Sequence, residues 1–549
     1  MNNKKILVAI LGVAICLTAC KKQLDIKNDN QPTPESAASE SGVLSLAQGS
    51  IYRNGFYDLK YTDGVYGRFW AGATGFHEMM GDIIGVEAAN AYINQIGCPN
   101  KVTLDNGTTT ILNPSAVNTQ YALLRSVNTN SQQGGNPAYY EWSYMYNMLT
   151  SANSVLDIAS KAKFSGSGAA TKKATVDAWV YWWKGFAYAR LGSIYYAGLK
   201  QDGTTGATNG NYISKEALIT ESNANFDKCV TALNLATSAA DYTDIVKQLI
   251  PSFVQIGKGG AISIAEWKRN INTMKARNIL VNTLQSAMTA AQWTSVLTLV
   301  NDGIRPTDII FTGRTDANGD FLGNTIADKV QSTSSSTATY KLSERFVQEF
   351  KAGDQRRANN IRTLNAGVGI FNQDRGNSFN TRYTLYNGGQ SIAGVITYSN
   401  TTPGANEITL CGTYEENELM KAEATMFAAS FSPASIIAGM ALIDAVRNYQ
   451  GANLGVTVAA TTAAAKEELR RERRVALAFK GLSFYDARRW DIIDPTKSRT
   501  GCVLLSGTAG TLNTNATINY GFLDYWDVPD NELAYNPAAA GSAPIKNPK

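Results

Sequence analysis

The stretch that decides the fold lies near the end of the 549-residue chain and reads KEELRRERRVALAFKG over residues 466–481, then FYDARRW over residues 484–490. Leu469 and Phe479 fall on or near one face of a helix, and Gly481 stands where helices commonly end. The stretch therefore predicts an amphipathic helix that ends just before Gly481.

The charges in this stretch alternate in sign. Three glutamates stand among the arginines, whereas a surface that binds nucleic acid would not dilute its own positive field. We therefore expect no nucleic-acid partner. A charge on or near the inward face of a helix needs an opposite charge beside it. We predict that Glu472 makes an ion pair within the protein, and that at least one of three arginines does so too: Arg470, Arg473 and Arg474.

The N-terminus predicts a lipoprotein signal peptide. Lys4 and Lys5 precede an apolar run of about a dozen residues, which is too short to cross a bilayer. The sequence LTAC at residues 17–20 is typical of a bacterial lipobox, so we expect residues 1–19 to be removed and the Cys20 thiol to be acylated. An uncleaved membrane anchor is the alternative.

The rest of the chain predicts a helical body. Residues 20–42 are polar, contain two prolines and are typical of a flexible spacer. Residues 43–549 contain no second low-complexity linker, so we predict one domain. Its apolar residues recur at helical spacing, and the paired segments resemble tetratricopeptide units without a clean 34-residue period. We predict a mainly α scaffold of tetratricopeptide-like helix pairs, with long irregular loops and a few short strands. Helices are expected near residues 43–56, 142–156, 179–194, 226–236, 267–283, 292–300, 419–426 and 433–443.

Three segments lack a sustained hydrophobic period. Residues 88–137, 306–340 and 360–412 are rich in Gly, Asn, Ser and Thr, so we expect them to leave the scaffold as loops. A short strand is predicted at residues 394–398. Irregular segments of this length are usually functional or disordered.

Common catalytic and metal-binding motifs are missing from the sequence. His77 is the single histidine; it lacks the second histidine of a zinc-protease motif, and no G-x-S-x-G or Walker motif is present. We expect His77 to be packed or hydrogen-bonded within a helix, and we predict no catalysis, cofactor or metal. A glycoside hydrolase, which needs only two carboxylates, is the remaining enzyme alternative. Four cysteines follow the predicted lipid site without C-x-x-C spacing, so no disulfide pairing can be deduced: Cys98, Cys229, Cys411 and Cys502.

Several separated segments form an ordered set with the arginine-rich stretch. They are Trp142–Asn153, Ala178–Tyr196, Gly353–Arg357, Glu418–Ala424, Ile443–Arg447, Val528–Pro537 and Lys546–Pro548. Together with the lipobox, this set closely resembles the motifs of the SusD/RagB family of outer-membrane nutrient-binding lipoproteins. Two positions depart from the family pattern, with Asp444 in place of Asn and Lys546 in place of Gln. The resemblance covers nearly the whole mature chain.

The resemblance implies a SusD-like fold and a function in nutrient capture. It implies a lipid-anchored protein of the outer membrane, exposed at the cell surface, that binds oligosaccharides and delivers them to a SusC-type TonB-dependent transporter. Capture of peptides by the same architecture is one alternative. A purely structural lid on the transporter is another. The resemblance does not identify the ligand or its contact residues, although the central region 306–412 is expected to help complete the site.

Aromatic and polar side chains are the candidates for contact with a ligand. Sugars present hydroxyl groups to polar side chains and the apolar faces of their rings to aromatic ones. The chain has 26 tyrosines and 9 tryptophans, most of which we expect in the core. The candidates lie in irregular N-terminal segments rather than on helix faces. They are Tyr66, Phe69, Trp70, Tyr92, Asn94 and Tyr121.

Overall fold

The computed structural model describes the following parts of the chain, and every structural statement below concerns them: residues 37–49, 59–60, 66–67, 73–86, 92, 95–203, 209–314, 340–364, 379–400, 402 and 404–549. The predicted signal peptide and the predicted lipid attachment site, Cys20, lie outside these residues.

Helices make up most of the regular structure. Their bounds are α1 Glu40–Leu46, α2 Gly75–Met80, α3 Gln120–Val127, α4 Pro137–Lys161, α5 Ala169–Ile194, α6 Lys215–Leu235, α7 Ala239–Leu249, α8 Ile264–Val281, α9 Ala290–Asn301, α10 Glu344–Val347, α11 Gln355–Asn360, α12 Tyr414–Ala428, α13 Pro433–Tyr449, α14 Thr462–Ala476, α15 Ser483–Arg489 and α16 Asp530–Leu533.

Local sequence signals explain where several helices begin. Ser432 accepts a hydrogen bond from the Ser435 amide and is followed by Pro433, which suits the first helical position. The start of α8 carries a capping box, in which Ser263 and Glu266 each satisfy the other's backbone amide. Such starts agree with the helix positions predicted from the sequence.

The helices pack largely as neighbours along the chain. Helix α5 lies between α4 and α6, α8 packs on α9, and α12 packs on both α9 and α13, with α14 against α13. The prediction of a mainly helical scaffold of helix pairs with a few short strands is confirmed. No helix within the described ranges combines the length and apolar character that crossing a membrane requires.

The strands are short apart from one hairpin. Their bounds are β1 Leu59–Lys60, β2 Tyr66–Gly67, β3 Ile84–Val86, β4 Lys101–Thr103, β5 Thr110–Leu112, β6 Ala197–Leu199, β7 Tyr212–Ser214, β8 Thr312–Gly313, β9 Tyr340–Leu342, β10 Ile361–Thr363, β11 Tyr383–Leu385, β12 Ile408–Thr409, β13 Arg499–Ser506 and β14 Thr511–Asn519. The hairpin β13–β14 joins β4 and β5 in an antiparallel sheet of order β13-β14-β4-β5. The N-terminal and C-terminal parts of the chain therefore share one sheet.

The centre of the core is aromatic. Trp179, Trp182 and Trp183 of α5 and Trp267 of α8 surround Phe311, whose ring centroid lies 4.4–5.7 Å from theirs. All four tryptophans are fully buried. Burial of each large apolar side chain contributes about 1.5–3 kcal/mol. These four tryptophans are therefore core residues and offer no ring to a ligand.

Two sequence-based expectations about strands and irregular segments are wrong. Residues 394–398 form no strand, because Gly394 turns the chain at φ 75° and the Ile396 amide donates to the carbonyl of Gln450. Segment 88–137 is not irregular throughout, since it contains β4, β5 and α3. Strands of three residues are too short to show a period of two.

The helix predicted to reach Gly481 ends earlier. Helix α14 stops at Ala476, and a turn with Phe479 at φ 67° and Gly481 at φ 74° leads into α15. Glycine adopts this left-handed conformation readily, and phenylalanine does not. Phe479 therefore needs support from its surroundings.

The predicted ion pairs of the arginine-rich helix are confirmed. Glu472 is buried, with Arg356 Nη1 at 2.5 Å and Arg447 Nε at 2.8 Å. Arg473 pairs with Asp486 at 2.9 Å, and Arg470 pairs with Glu349 at 2.7 Å. These charges join α14 to α11, α13 and α15, so the stretch is a structural brace.

Candidate ligand-binding cleft

A cleft of about 620 Å³ opens where six segments of the chain meet. Its walls come from residues 304–314, from residues 396–400 and 404–409, from the first turn of α12, from the last turn of α13, from the turn after α14 and from the turn that contains Lys258. The segment 304–314 includes Phe311, which packs in the aromatic core. This wall of the cleft is therefore attached to the helical scaffold. The walls include residues from the beginning and from the end of the central region 306–412. This is the region that was expected from the sequence to help complete the site.

Three half-buried tyrosines line the cleft. The rings of Tyr414 and Tyr449 meet edge to face, with centroids 4.8 Å apart. Tyr398 packs 5.5 Å from Phe479 and donates its hydroxyl to the Val475 carbonyl at 3.2 Å. Burial raises the pKa of Tyr414 to about 12 and also raises those of Tyr398 and Tyr449. These hydroxyls therefore stay protonated at neutral pH and can donate hydrogen bonds.

Uncharged polar side chains stand beside these rings. Asn400, Asn406, Thr397 and Thr409 all line the cleft. Amide and hydroxyl groups can both donate and accept, which suits a ligand rich in hydroxyl groups. The combination of aromatic rings and neutral hydrogen-bonding groups in a concave site is typical of small-molecule binding sites.

Each of the three carboxylates in the cleft wall has a cationic partner. Asp308 accepts two hydrogen bonds from Arg269, both at 2.7 Å. Glu407 lies 3.0 Å from Arg314 and accepts from two backbone amides, those of Lys258 and Gly259.

Glu415 is the third of these carboxylates and is buried. It accepts from Lys480 at 3.0 Å and from Gln450 at 3.1 Å. Burial by itself would raise the pKa of Glu415, but Lys480 and the hydrogen bonds outweigh it and leave the pKa below its usual value. The carboxylate is therefore ionised and serves to hold the wall.

A buried carboxyl group supports the turn that carries Phe479 and Lys480 into the cleft. Glu78 of α2 accepts hydrogen bonds from the amides of Phe479 at 3.0 Å and Gly481 at 2.7 Å. Burial raises the pKa of Glu78 from its ordinary 4.5 to about 7, although these amide contacts act in the opposite direction. Glu78 thus holds Phe479 in its left-handed conformation.

We expect the stability contribution of Glu78 to fall as pH rises. The folded-state pKa lies above the unfolded one, so the folded chain holds this proton more tightly between pH 4.5 and 7. The contribution is largest below pH 4.5 and decreases by about 3 kcal/mol as pH rises past 7. Urea unfolding across this range should show the stability of the wild type, relative to that of Glu78→Gln, falling by about 3 kcal/mol as pH rises. His77 titrates in both proteins and cancels in the difference, so a constant difference would contradict the assignment.

Tyr92 and Tyr121, the two predicted contact residues whose side chains the structure describes, do not line this cleft. Phe69, Trp70 and Asn94 lie outside the described residues, and Tyr66 falls in β2 with its side chain outside the described part. Tyr92 is half-buried against the main core. Tyr121 is exposed but lies on α3, so the expectation that it stands in an irregular loop is wrong. As ligand contacts, all six stay predictions.

The tyrosines of the cleft could not be identified from the sequence, because Tyr398, Tyr414 and Tyr449 come from three separate segments. Only the turn-rich character of residues 306–340 and 360–412 pointed to this region. No spacing rule relates a loop tyrosine to the first residue of one helix and the last residue of another. The structure alone brings them together.

The described titratable residues offer no evident metal site. No group of three or more His, Cys, Asp or Glu side chains in these parts of the chain could hold a metal ion. His77 is buried, with Nε2 2.7 Å from Glu141, and burial lowers its pKa. The prediction that His77 is a packed, hydrogen-bonded helix residue is confirmed. The four cysteines after the predicted lipid site are all buried.

By sequence, no protein-family model and no curated protein matches the chain. Comparison of structures does find similar proteins. A SusD superfamily protein from Bacteroides vulgatus superposes with a TM-score of 0.54 at 13% identity, covering 91% of this chain and 98% of that one. A SusD-like carbohydrate-binding protein from Bacteroides fragilis gives a TM-score of 0.55 at 15% identity, covering 92% and 98%.

A third similar structure was solved with a xylogluco-oligosaccharide. It gives a TM-score of 0.53 at 13% identity, and the superposition covers 92% of this chain and 99% of that one. Identities this low establish similarity of fold rather than of ligand. The near-complete coverage in both directions shows that the likeness extends over the whole architecture. The chain therefore has the fold of the SusD superfamily.

Proposed function

We propose that this protein is a non-catalytic, cell-surface lipoprotein that captures oligosaccharides in the tyrosine-lined cleft. The observation that carries the proposal is the cleft itself, which combines Tyr398, Tyr414 and Tyr449 with neutral hydrogen-bonding groups in about 620 Å³. Aromatic faces suit the apolar faces of sugar rings, and amides and hydroxyls suit their hydroxyl groups. Carbohydrate binding by proteins of the same fold supports the proposal.

We further propose delivery of the captured glycan to a SusC-type TonB-dependent transporter in the outer membrane. Support comes from the lipobox ending at Cys20 and from the ordered motifs of the sequence. An acylated cysteine followed by a flexible spacer would keep the binding domain at the membrane surface. This arrangement would place the cleft near the transporter without a membrane-spanning helix.

Tyr449→Ala is expected to weaken binding of the best-bound oligosaccharide about tenfold, or about 1.4 kcal/mol. The substitution removes a ring that would stack on the sugar and that also packs against Tyr414. Isothermal titration calorimetry against a panel of oligosaccharides, including xylogluco-oligosaccharides, measures the effect. Tyr535→Ala is the matched control, since Tyr535 is 73% exposed and lies outside the cleft.

A second pair of variants distinguishes the cleft from the N-terminal candidates. If Tyr121→Ala or Trp70→Ala abolishes binding while Tyr449→Ala leaves it intact, the glycan site lies at the N-terminal residues and the cleft is not the site. Binding of peptides but of no glycan would favour the peptide alternative. Hydrolysis of a bound glycan by the purified protein would favour the hydrolase alternative.

A further inference from the structure

The charges of the cleft wall do not balance. Among its four cationic residues, Arg314 is matched by Glu407 and Lys480 by Glu415. The third carboxylate, Asp308, is matched by Arg269, which lies outside the lining. Among the residues that the structure describes, these pairings leave two cations of the wall, Lys258 and Arg305, without a carboxylate partner.

One of the two unmatched cations, Lys258, lies close to Tyr449 and to the backbone of the residue that follows Arg305. The Lys258 ammonium donates to the carbonyl of Pro306, the residue that follows Arg305. It also lies 5.5 Å from the centroid of the Tyr449 ring. Lys258 is half-buried, and Arg305 is exposed, with no hydrogen bond or ion pair from its guanidinium to any described residue. Both side chains can therefore reach a ligand in the cleft.

Such a pair of cations favours an anionic ligand. Uncompensated charge on the wall of a concave site raises the local concentration of ions of opposite sign. Lysine and arginine both form charge-assisted hydrogen bonds with carboxylate and with sulfate-like oxygens. A sugar ring stacked on Tyr449 would hold a substituent of the ring near the Lys258 ammonium.

We propose that the cleft selects acidic oligosaccharides over neutral ones, with Lys258 and Arg305 binding the anionic group. This inference rests on the proposed function, because it names the class of glycan that the same site takes. The anionic group is the carboxylate of a uronic acid or a sulfate ester, which share this recognition chemistry. The neutral polar groups and tyrosines of the cleft bind the remaining sugar units.

The test uses pairs of oligosaccharides that differ only in charge. The pairs are an oligogalacturonide and its fully methyl-esterified form, a glucuronic-acid-substituted xylo-oligosaccharide and its unsubstituted form, and a sulfated galactan oligosaccharide and its desulfated form. Calorimetry at low salt is expected to show at least one acidic member bound about tenfold more tightly than its neutral partner. This advantage should shrink as salt is added, because the cations are solvent-accessible.

Variants of Lys258 and Arg305 test whether these two cations cause the preference for acidic oligosaccharides. The double variant Lys258→Met, Arg305→Gln is expected to reduce the preference for the acidic member to about twofold or less. Lys247→Met, at an exposed lysine outside the cleft, should keep the full preference. Circular dichroism of both variants checks that each is folded.

Each outcome bears on a different claim. Neutral members bound as tightly as acidic ones would overturn the inference and leave glycan capture standing. An acidic preference that survives the double variant would also overturn it. No binding to any glycan, with or without binding to an acidic peptide, would instead contradict the proposed function. The uronate and sulfate pairs show which anionic group is recognised.

Discussion

Glu472→Gln is expected to lower the free energy of unfolding by about 3–5 kcal/mol, the usual loss when one partner of a buried ion pair is removed. The Glu472 carboxylate accepts from Arg356 and Arg447, and all three side chains are almost completely buried. Glutamine keeps the volume and removes the charge, so two buried guanidinium groups lose a compensating carboxylate. Urea unfolding of the purified protein measures the loss.

A matched control lies on the same helix. Glu467 pairs with Arg470 at 2.7 Å, but its side chain is 48% exposed. Exposed pairs contribute about 0–1 kcal/mol, so Glu467→Gln should change stability by less than that amount. Equal losses of unfolding free energy for the two variants would show that the buried ion pairs stabilise the protein no more than the exposed pair does.

The motifs that suggested the fold meet in this network of charges. Arg356 belongs to the segment Gly353–Arg357, and Arg447 closes the segment Ile443–Arg447. Glu423, from the segment Glu418–Ala424, pairs with Arg489 of the arginine-rich stretch at 2.7 Å. Buried ion pairs need partners at defined positions. The ordered motifs therefore carry information about the scaffold and little about the ligand.

The long helices could be predicted because their signals are local. An apolar stripe of helical period and a capping residue are contained within each segment, as in α13 with Ser432 and Pro433. The hairpin β13–β14 could not be predicted in the same way. β14 consists largely of Thr, Asn and Ala, and its partner β4 lies about 400 residues earlier in the chain. Its pairing depends on contacts that no local window contains.

The cleft was predictable only as a region. The turn-rich segments 306–340 and 360–412 pointed to irregular structure, and described parts of both, residues 306–314, 396–400 and 404–409, form its walls. The aromatic residues that line it were not predictable, since a tyrosine at a helix end is equally compatible with core packing. Exposure of Tyr449 to the cleft depends on where α13 ends relative to α12 and to the turn after α14.

Glu349→Gln is expected to destabilise the protein by about 3 kcal/mol at pH 7, and the loss should diminish in acid. Glu349 is buried beside three arginines, Arg470 at 2.7 Å, Arg499 at 2.8 Å and Arg474 at 3.0 Å. Burial would raise the pKa of Glu349, but these cations lower it from 4.5 to about 2.

The sign of the pH dependence follows from the direction of this shift. The folded-state pKa of Glu349 is depressed, so its contribution is fully present above pH 4.5 and is lost as pH falls toward 2. Unfolding measured from pH 7 down to pH 2.5 should therefore show the wild type and Glu349→Gln converging in stability as pH falls. Glu467→Gln serves again as the control and should show only a small difference from the wild type throughout. A difference for Glu349→Gln that stays constant from pH 7 to 2.5 would mean that the substitution acts through packing, and that the three arginines are compensated elsewhere.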